Sequence, residues 1–150
     1  MRLVIQRVTH ASVTIGEQLH SSINQGLMVL VGVEQDDTPD DVKWLASKTL
    51  GLRIFNDEAG VMNRSVVDIQ GEILAVSQFT LTASTRKGNR PSYIRAAGHD
   101  LAVPLYEAYC DACSELSGLP VKRGVFGADM LVDIANDGPV TIIIDSRLRE

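Results

Sequence analysis

A chain of 150 residues with 45% hydrophobic and 22% charged side chains can bury a substantial core as one domain, residues 1–150, and is too apolar for disorder. Its net charge of −5 excludes a protein coated in nucleic-acid-binding charge and argues against DNA as a partner. The opening MRLVIQRVTHASVTIG alternates apolar and polar residues and lacks the long apolar run of a signal peptide or membrane span, so a cytoplasmic protein without membrane contact is expected.

Residues 3–8 and 11–16 read as two period-two strand segments, with Ala11, Val13 and Ile15 on one face and Ser12 and Thr14 on the other. Residues 19–23 supply a candidate return strand. The run GLMVLVGV, residues 26–33, is continuously apolar and rich in β-branched side chains, which suits a strand covered on both faces. Thr38-Pro39-Asp40-Asp41 then opens a helix, with a hydroxyl cap, a proline whose missing N–H costs nothing there, and acids facing the positive dipole end. Val42, Leu45, Ala46 and Thr49 give that helix one inward face.

LRIF suggests a short strand, and NDEAG a turn with Gly60 free to take positive φ. Residues 72–80 alternate again. A second helix is predicted from Leu101, Leu105, Ala108, Tyr109, Ala112 and Leu116, stopped by Gly118 and Pro120. Residues 130–135 and 140–144 read as closing strands. Many strands with two substantial helices predict an α+β fold with mainly antiparallel pairing.

Two features break the pattern. Residues 84–95, STRKGNRPSYIR, hold Arg86, Lys87, Arg90 and Arg95 and no acid, which is either a solvated loop face or a local anion-binding patch in an acidic protein. NDGPVT, residues 136–141, starts like a hairpin turn yet places Pro139 where a strand should begin. Sequence alone makes this an ordinary tight turn, because X-Pro bonds are cis only about 5% of the time.

The chemistry-bearing residues fit standard machinery poorly. Ser77, Thr80 and Thr82 lie near a strand end, and His10, His20 and His99 are available as bases, but VSQFT lacks the GxSxG elbow. There is no P-loop, GxGxxG or HExxH. Cys110 and Cys113, in CDAC, could be a redox pair or half a zinc site; their position inside a helical pattern favours small buried helix residues.

SQFTL, residues 77–81, and NDGPVT together resemble the two motifs of the D-aminoacyl-tRNA deacylases, which edit tRNA carrying a D-amino acid. QRV, GLMVLVGV, DDT, LRIFNDEAG, MN, KGNRPS and FGADM follow in family order, so the resemblance covers nearly the whole chain. Val61 before MN and the TASTRKG segment depart from the family pattern, beside the motifs and where loop contacts with RNA are at stake.

The resemblance implies strands curled into a barrel-like sheet with two helices packed outside, and a homodimer. It implies ester hydrolysis without cofactor or metal, in which backbone N–H groups near Gln78, Phe79 and Thr80, with Ser77, stabilise developing charge while the RNA 2′-hydroxyl assists. It implies that Gly138-Pro139 is cis and enters the other subunit's pocket, where its carbonyls reject L-amino acids but cannot exclude glycine. Arg7 would hold that segment, and Asn136 would join it and Gly138-Pro139 in binding substrate; a surface arginine is the competing account for Arg7. Phe126 and Met130 would form an apolar slot for the terminal adenine, or else simply pack in the core. Arg86, Lys87 and Arg90 would meet tRNA phosphates. The rival readings are a tRNA-binding module without activity and a serine or threonine esterase acting on small esters.

Overall fold

A computed structural model describes residues 1–150. In chain order the elements are β1 (Arg2–Ile15), β2 (Gln18–Ile23), β3 (Gly26–Gly32), α1 (Pro39–Gly51), β4 (Phe55–Asn56), β5 (Met62–Arg64), β6 (Glu72–Ser77), a 3₁₀ turn (Phe79–Thr82), α2 (His99–Ser117), β7 (Val121–Arg123) and β8 (Met130–Asp145). The main sheet runs β2-β1-β3-β6-β7, with β8 on the other edge of β1. Its two ends approach each other: Ser21 Oγ on β2 donates to Arg123 O on β7 at 3.0 Å, so the sheet nearly closes into a barrel.

The expected α+β architecture with mainly antiparallel pairing is present, and two of its strand pairs are parallel. β1 pairs antiparallel with β2, β3 and β8, whereas β3 with β6 and β6 with β7 run parallel. Parallel neighbours need a long crossover, and here the segments containing α1 and α2 supply it. Two expectations are corrected. The two predicted N-terminal segments form one 14-residue strand, and the alternation predicted to reach residue 80 stops at Ser77, where the chain tightens into the 3₁₀ turn.

Burial on both faces explains the apolar run of β3. Leu27, Val29 and Val31 join Ile73 and Ala75 of β6 in the core beneath the helices, with Leu45, Leu105, Tyr106 and Tyr109. Met28 joins Leu74 and Val76 in the barrel interior, with Val8, Ala11, Val13 and Ile23. Thr49 and Tyr109 tie α1 to α2. The Thr49 hydroxyl donates to Leu45 O, so its oxygen must accept from the Tyr109 hydroxyl, 2.8 Å away.

Local signals account for the element ends. The Asp41 carboxylate accepts from Thr38 N–H at 2.8 Å, closing a capping box on α1. Gly118, at φ 67°, ends α2 in the left-handed conformation. In the NDEAG turn Gly60 has φ +78°, and Asp57 Oδ1 accepts from Ala59 and Val61 N–H. Neither helix is long and apolar enough to cross a membrane.

Candidate active site

Parallel pairing delivers the end of β6 to one mouth of the barrel. Val31 lies opposite Ser77, and Gln78 N–H still donates to Val31 O at 2.8 Å. That amide is therefore not free for an oxyanion, which narrows the expected donor set to Phe79 and Thr80. These two residues begin the 3₁₀ turn and precede Leu81, whose N–H donates back to Gln78 O. Gln78 Nε2 donates to Thr80 Oγ1 at 2.6 Å, leaving the hydroxyl proton of Thr80 to be donated elsewhere. Thr82 Oγ1 donates to Phe79 O at 2.8 Å and closes the turn.

A cavity of about 550 Å³ opens beside this turn. Ser77, Gln78 and Phe79 line it on one side; Phe126, Met130 and His99 line it with them. Phe79 is 54% exposed. Chain-distant residues of the two candidate groups thus share one pocket, although Phe126 also packs against the helix core, near Tyr106 at 6.0 Å between ring centroids. Thr80 lies outside that lining and faces a second cleft beside Arg2, Trp44 and Ile143.

His99 stands in the pocket wall edge-on to Phe126, at 5.3 Å. The sequence offers it only as a base for a serine; its position where the loop turns into α2 is what brings it to the pocket wall. Its contact is with the Phe126 ring, and the partner of Thr80 is Gln78, so no Ser-His or Thr-His pair is assembled.

Gly138-Pro139 is cis and exposed, and it is absent from the lining of this chain's pocket. The register explains how a strand carries it. Gln6 lies opposite Thr141 and Val8 opposite Asn136, so residues 137–140 bulge out against Arg7 alone, and Pro139 is spared a ladder position. The two predicted closing strands are accordingly one, β8, with an excursion in its middle. Asn136 Nδ2 donates to Thr141 Oγ1 at 3.1 Å across the base of the bulge.

Arg7 is 8% exposed, not a free surface cation. Its Nε donates to Asp137 O at 3.2 Å and lies 3.3 Å from Asp137 Oδ2, and its Nη1 donates to Ile54 O at 2.7 Å. Gly138, at φ +122°, leaves room for it: a Cβ there would stand 2.9 Å from Arg7 Nη2.

In the basic segment, mutual 2.9 Å backbone bonds between Ser84 and Ser92 pinch off a loop that exposes Arg86, Lys87 and Arg90. Arg95 is different, since it faces Glu34 at 3.7 Å and donates to Thr82 O. Tyr93 sets its ring edge-on to Phe79 at 5.0 Å, coupling the loop to the 3₁₀ turn. Cys110 and Cys113 are fully buried and unpaired; burial pushes their thiols up to about 12 and about 11, the reverse of what thiolate chemistry needs.

A family model described as D-Tyr-tRNA(Tyr) deacylase matches residues 4–145. A D-aminoacyl-tRNA deacylase of Parabacteroides distasonis is 60% identical over all 150 residues of both chains, and one of Porphyromonas gingivalis is 59% identical over the same span. Among solved structures, a c-Myc DNA unwinding element binding protein superposes with a TM-score of 0.91 at 42% identity, covering 97% of this chain and 98% of that one. A probable eukaryotic D-amino acid tRNA deacylase, 17% identical, shares the fold with a TM-score of 0.82 over 95% and 97% of the two chains. With the SQFT turn at a pocket mouth and the Gly-Pro bulge braced by an arginine, the motifs occur in a matching full-length fold, and the chain belongs to the D-Tyr-tRNA(Tyr) deacylase family of ester hydrolases.

Proposed function

We propose that this protein hydrolyses the ester joining a D-amino acid, or glycine mischarged on tRNA-Ala, to the terminal ribose of tRNA. The observation that carries the reading is the pocket in which Phe79, the first residue of a turn whose Phe79 and Thr80 N–H groups are unspent, faces Phe126 and Met130 with no nucleophile–histidine pair. Such a site stabilises charge and orients; it does not attack. That suits an ester already activated, beside a ribose 2′-hydroxyl able to assist a water.

Water adds to the carbonyl carbon, the oxyanion meets the turn's N–H groups, and the ribose oxygen leaves with a proton, giving free amino acid and tRNA. One donor of this kind is typically worth about 10²–10³ in rate. Thr80, held by Gln78, positions substrate or water, and Phe126 with Met130 takes the adenine face.

Chirality is decided by a second copy of the chain. Gly138-Pro139 is exposed and outside its own pocket, which supports its insertion into a partner's, where carbonyl oxygens wall off the side an L side chain would occupy. A barrier that only excludes cannot reject glycine. Arg86, Lys87 and Arg90 bind tRNA phosphates, and the reaction takes place in the cytoplasm without cofactor or metal.

The deciding measurement is amino-acid release from matched D-tyrosyl-, L-tyrosyl- and glycyl-tRNA by purified protein. Release from the D and glycyl forms with the L form intact is expected. Binding of tRNA without release would make this a binding module, and equal cleavage of a D-tyrosine methyl ester would make it a simple esterase.

A further inference from the structure

The 3₁₀ turn is four residues long, too short to hold its own shape to the precision that an oxyanion site requires. Its carbonyl end is gripped from outside the pocket by two guanidinium groups. Arg2, at the start of β1, donates from Nη1 to Leu81 O at 2.9 Å, and from Nε and Nη2 to Asp145 Oδ2 at 3.1 and 3.0 Å. Arg95, at the end of the basic loop, donates from Nη2 to Thr82 O at 3.2 Å, with its Nε 3.7 Å from Glu34 Oε1.

Each arginine bonds one of two successive carbonyls and is itself held by a carboxylate on a different element. Neither lines the cavity that contains Ser77 and Gln78. Charge-assisted bonds of this kind are roughly twice as strong as neutral ones. Burial would raise the Asp145 carboxyl, but the Arg147 N–H and the Arg2 guanidinium outweigh it and hold the group below its ordinary range.

We propose that Arg2 and Arg95 are positioning residues for the hydrolysis. By pinning Leu81 O and Thr82 O they fix the opposite end of the turn, where the N–H groups of Phe79 and Thr80 must meet the developing oxyanion. Asp145 and Glu34 orient the two guanidinium groups. The inference rests on the hydrolytic reading above, and it predicts a change in the chemical step with little change in tRNA affinity.

The test uses the full chain and D-tyrosyl-tRNA, measuring the single-turnover rate at saturating enzyme and the half-saturating concentration separately. Arg2→Met is expected to slow release about 10²-fold, the scale of one misplaced oxyanion donor, with half-saturation within about 3-fold on the same differential-binding logic. Arg2→Lys, which keeps one cationic donor, should recover part of the rate. Asp145→Asn should cost less than Arg2→Met and add nothing to it, since the two act through one bond network.

A wild-type rate in Arg2→Met, or a loss carried wholly by half-saturation, overturns the proposal while leaving the hydrolase reading intact. If Arg2→Met does not fold, Arg2→Lys and Arg95→Met decide, and wild-type rates in both overturn it. Wild-type protein releasing nothing from D-tyrosyl-tRNA is the distinct result that removes the hydrolytic reading first.

Discussion

Arg7 shows how one side chain acquires a role from its partners. Two of its nitrogens are spent on carbonyls, Asp137 O and Ile54 O, which belong to segments far from it and from each other in the chain. A guanidinium can hold both because its donors are set in a rigid fork. Arg7→Met removes that brace from the Gly138-Pro139 bulge without filling or emptying the pocket. Cleavage of D-tyrosyl-tRNA should persist while cleavage of the L form rises about 10-fold, because an unbraced wall excludes less sharply; a discrimination of this size corresponds to about 1.4 kcal/mol. The ratio of D to L release rates, measured on one preparation, checks it.

At the scale of elements, the site depends on how closely β3 and β6 approach. Gly26 begins β3 opposite Glu72 at the start of β6, and a Cβ on Gly26 would stand 1.8 Å from Glu72 O. The Cβ position is fixed by the backbone and no rotamer moves it away from a main-chain oxygen, so Gly26→Ala must push the parallel pair apart. The expected loss is about 3 kcal/mol, read as a lowered urea midpoint. By contrast Gly16 has open space where its Cβ would go, and the reason for glycine there is its φ of +63°. The periodicities of β1, β6 and both helices, and the continuous apolar run of β3, were legible because such patterns are local. Parallel pairing was not, since a strand buried on both faces reads alike in either direction.

The whole molecule sets a basic loop against an acidic body. Arg86, Lys87 and Arg90 are exposed with no carboxylate paired to them, unlike Arg95, and the overall charge of −5 repels a polyanion everywhere else. Affinity for tRNA should therefore fall steeply with salt. Replacing the three cations by Gln should flatten the plot of log affinity against log salt by about 2 to 3, at roughly 0.7–0.9 per phosphate contact. Filter binding across a salt series measures that slope, and an unchanged slope would place the RNA on another face.

By itself the sequence determined whatever depends on near neighbours: the capping box at Thr38 and Asp41, the turn at Gly60, the stop at Gly118, the inward face of α1, and the two motifs that carry the family likeness; on α2 it placed Leu105 and Tyr109 correctly inward, but Leu116 is exposed and Tyr106, Cys110 and Cys113 complete the buried face. Only the tertiary structure decided which distant groups meet. It put Phe126 and Met130 across from Ser77, spent the Gln78 amide on Val31, turned the Gly-Pro segment away from its own pocket, and set Arg2 and Arg95 behind the 3₁₀ turn. The physical reason is that hydrogen-bond partners far apart in the chain are chosen by strand register and sheet closure, and these follow from burying the whole core at once.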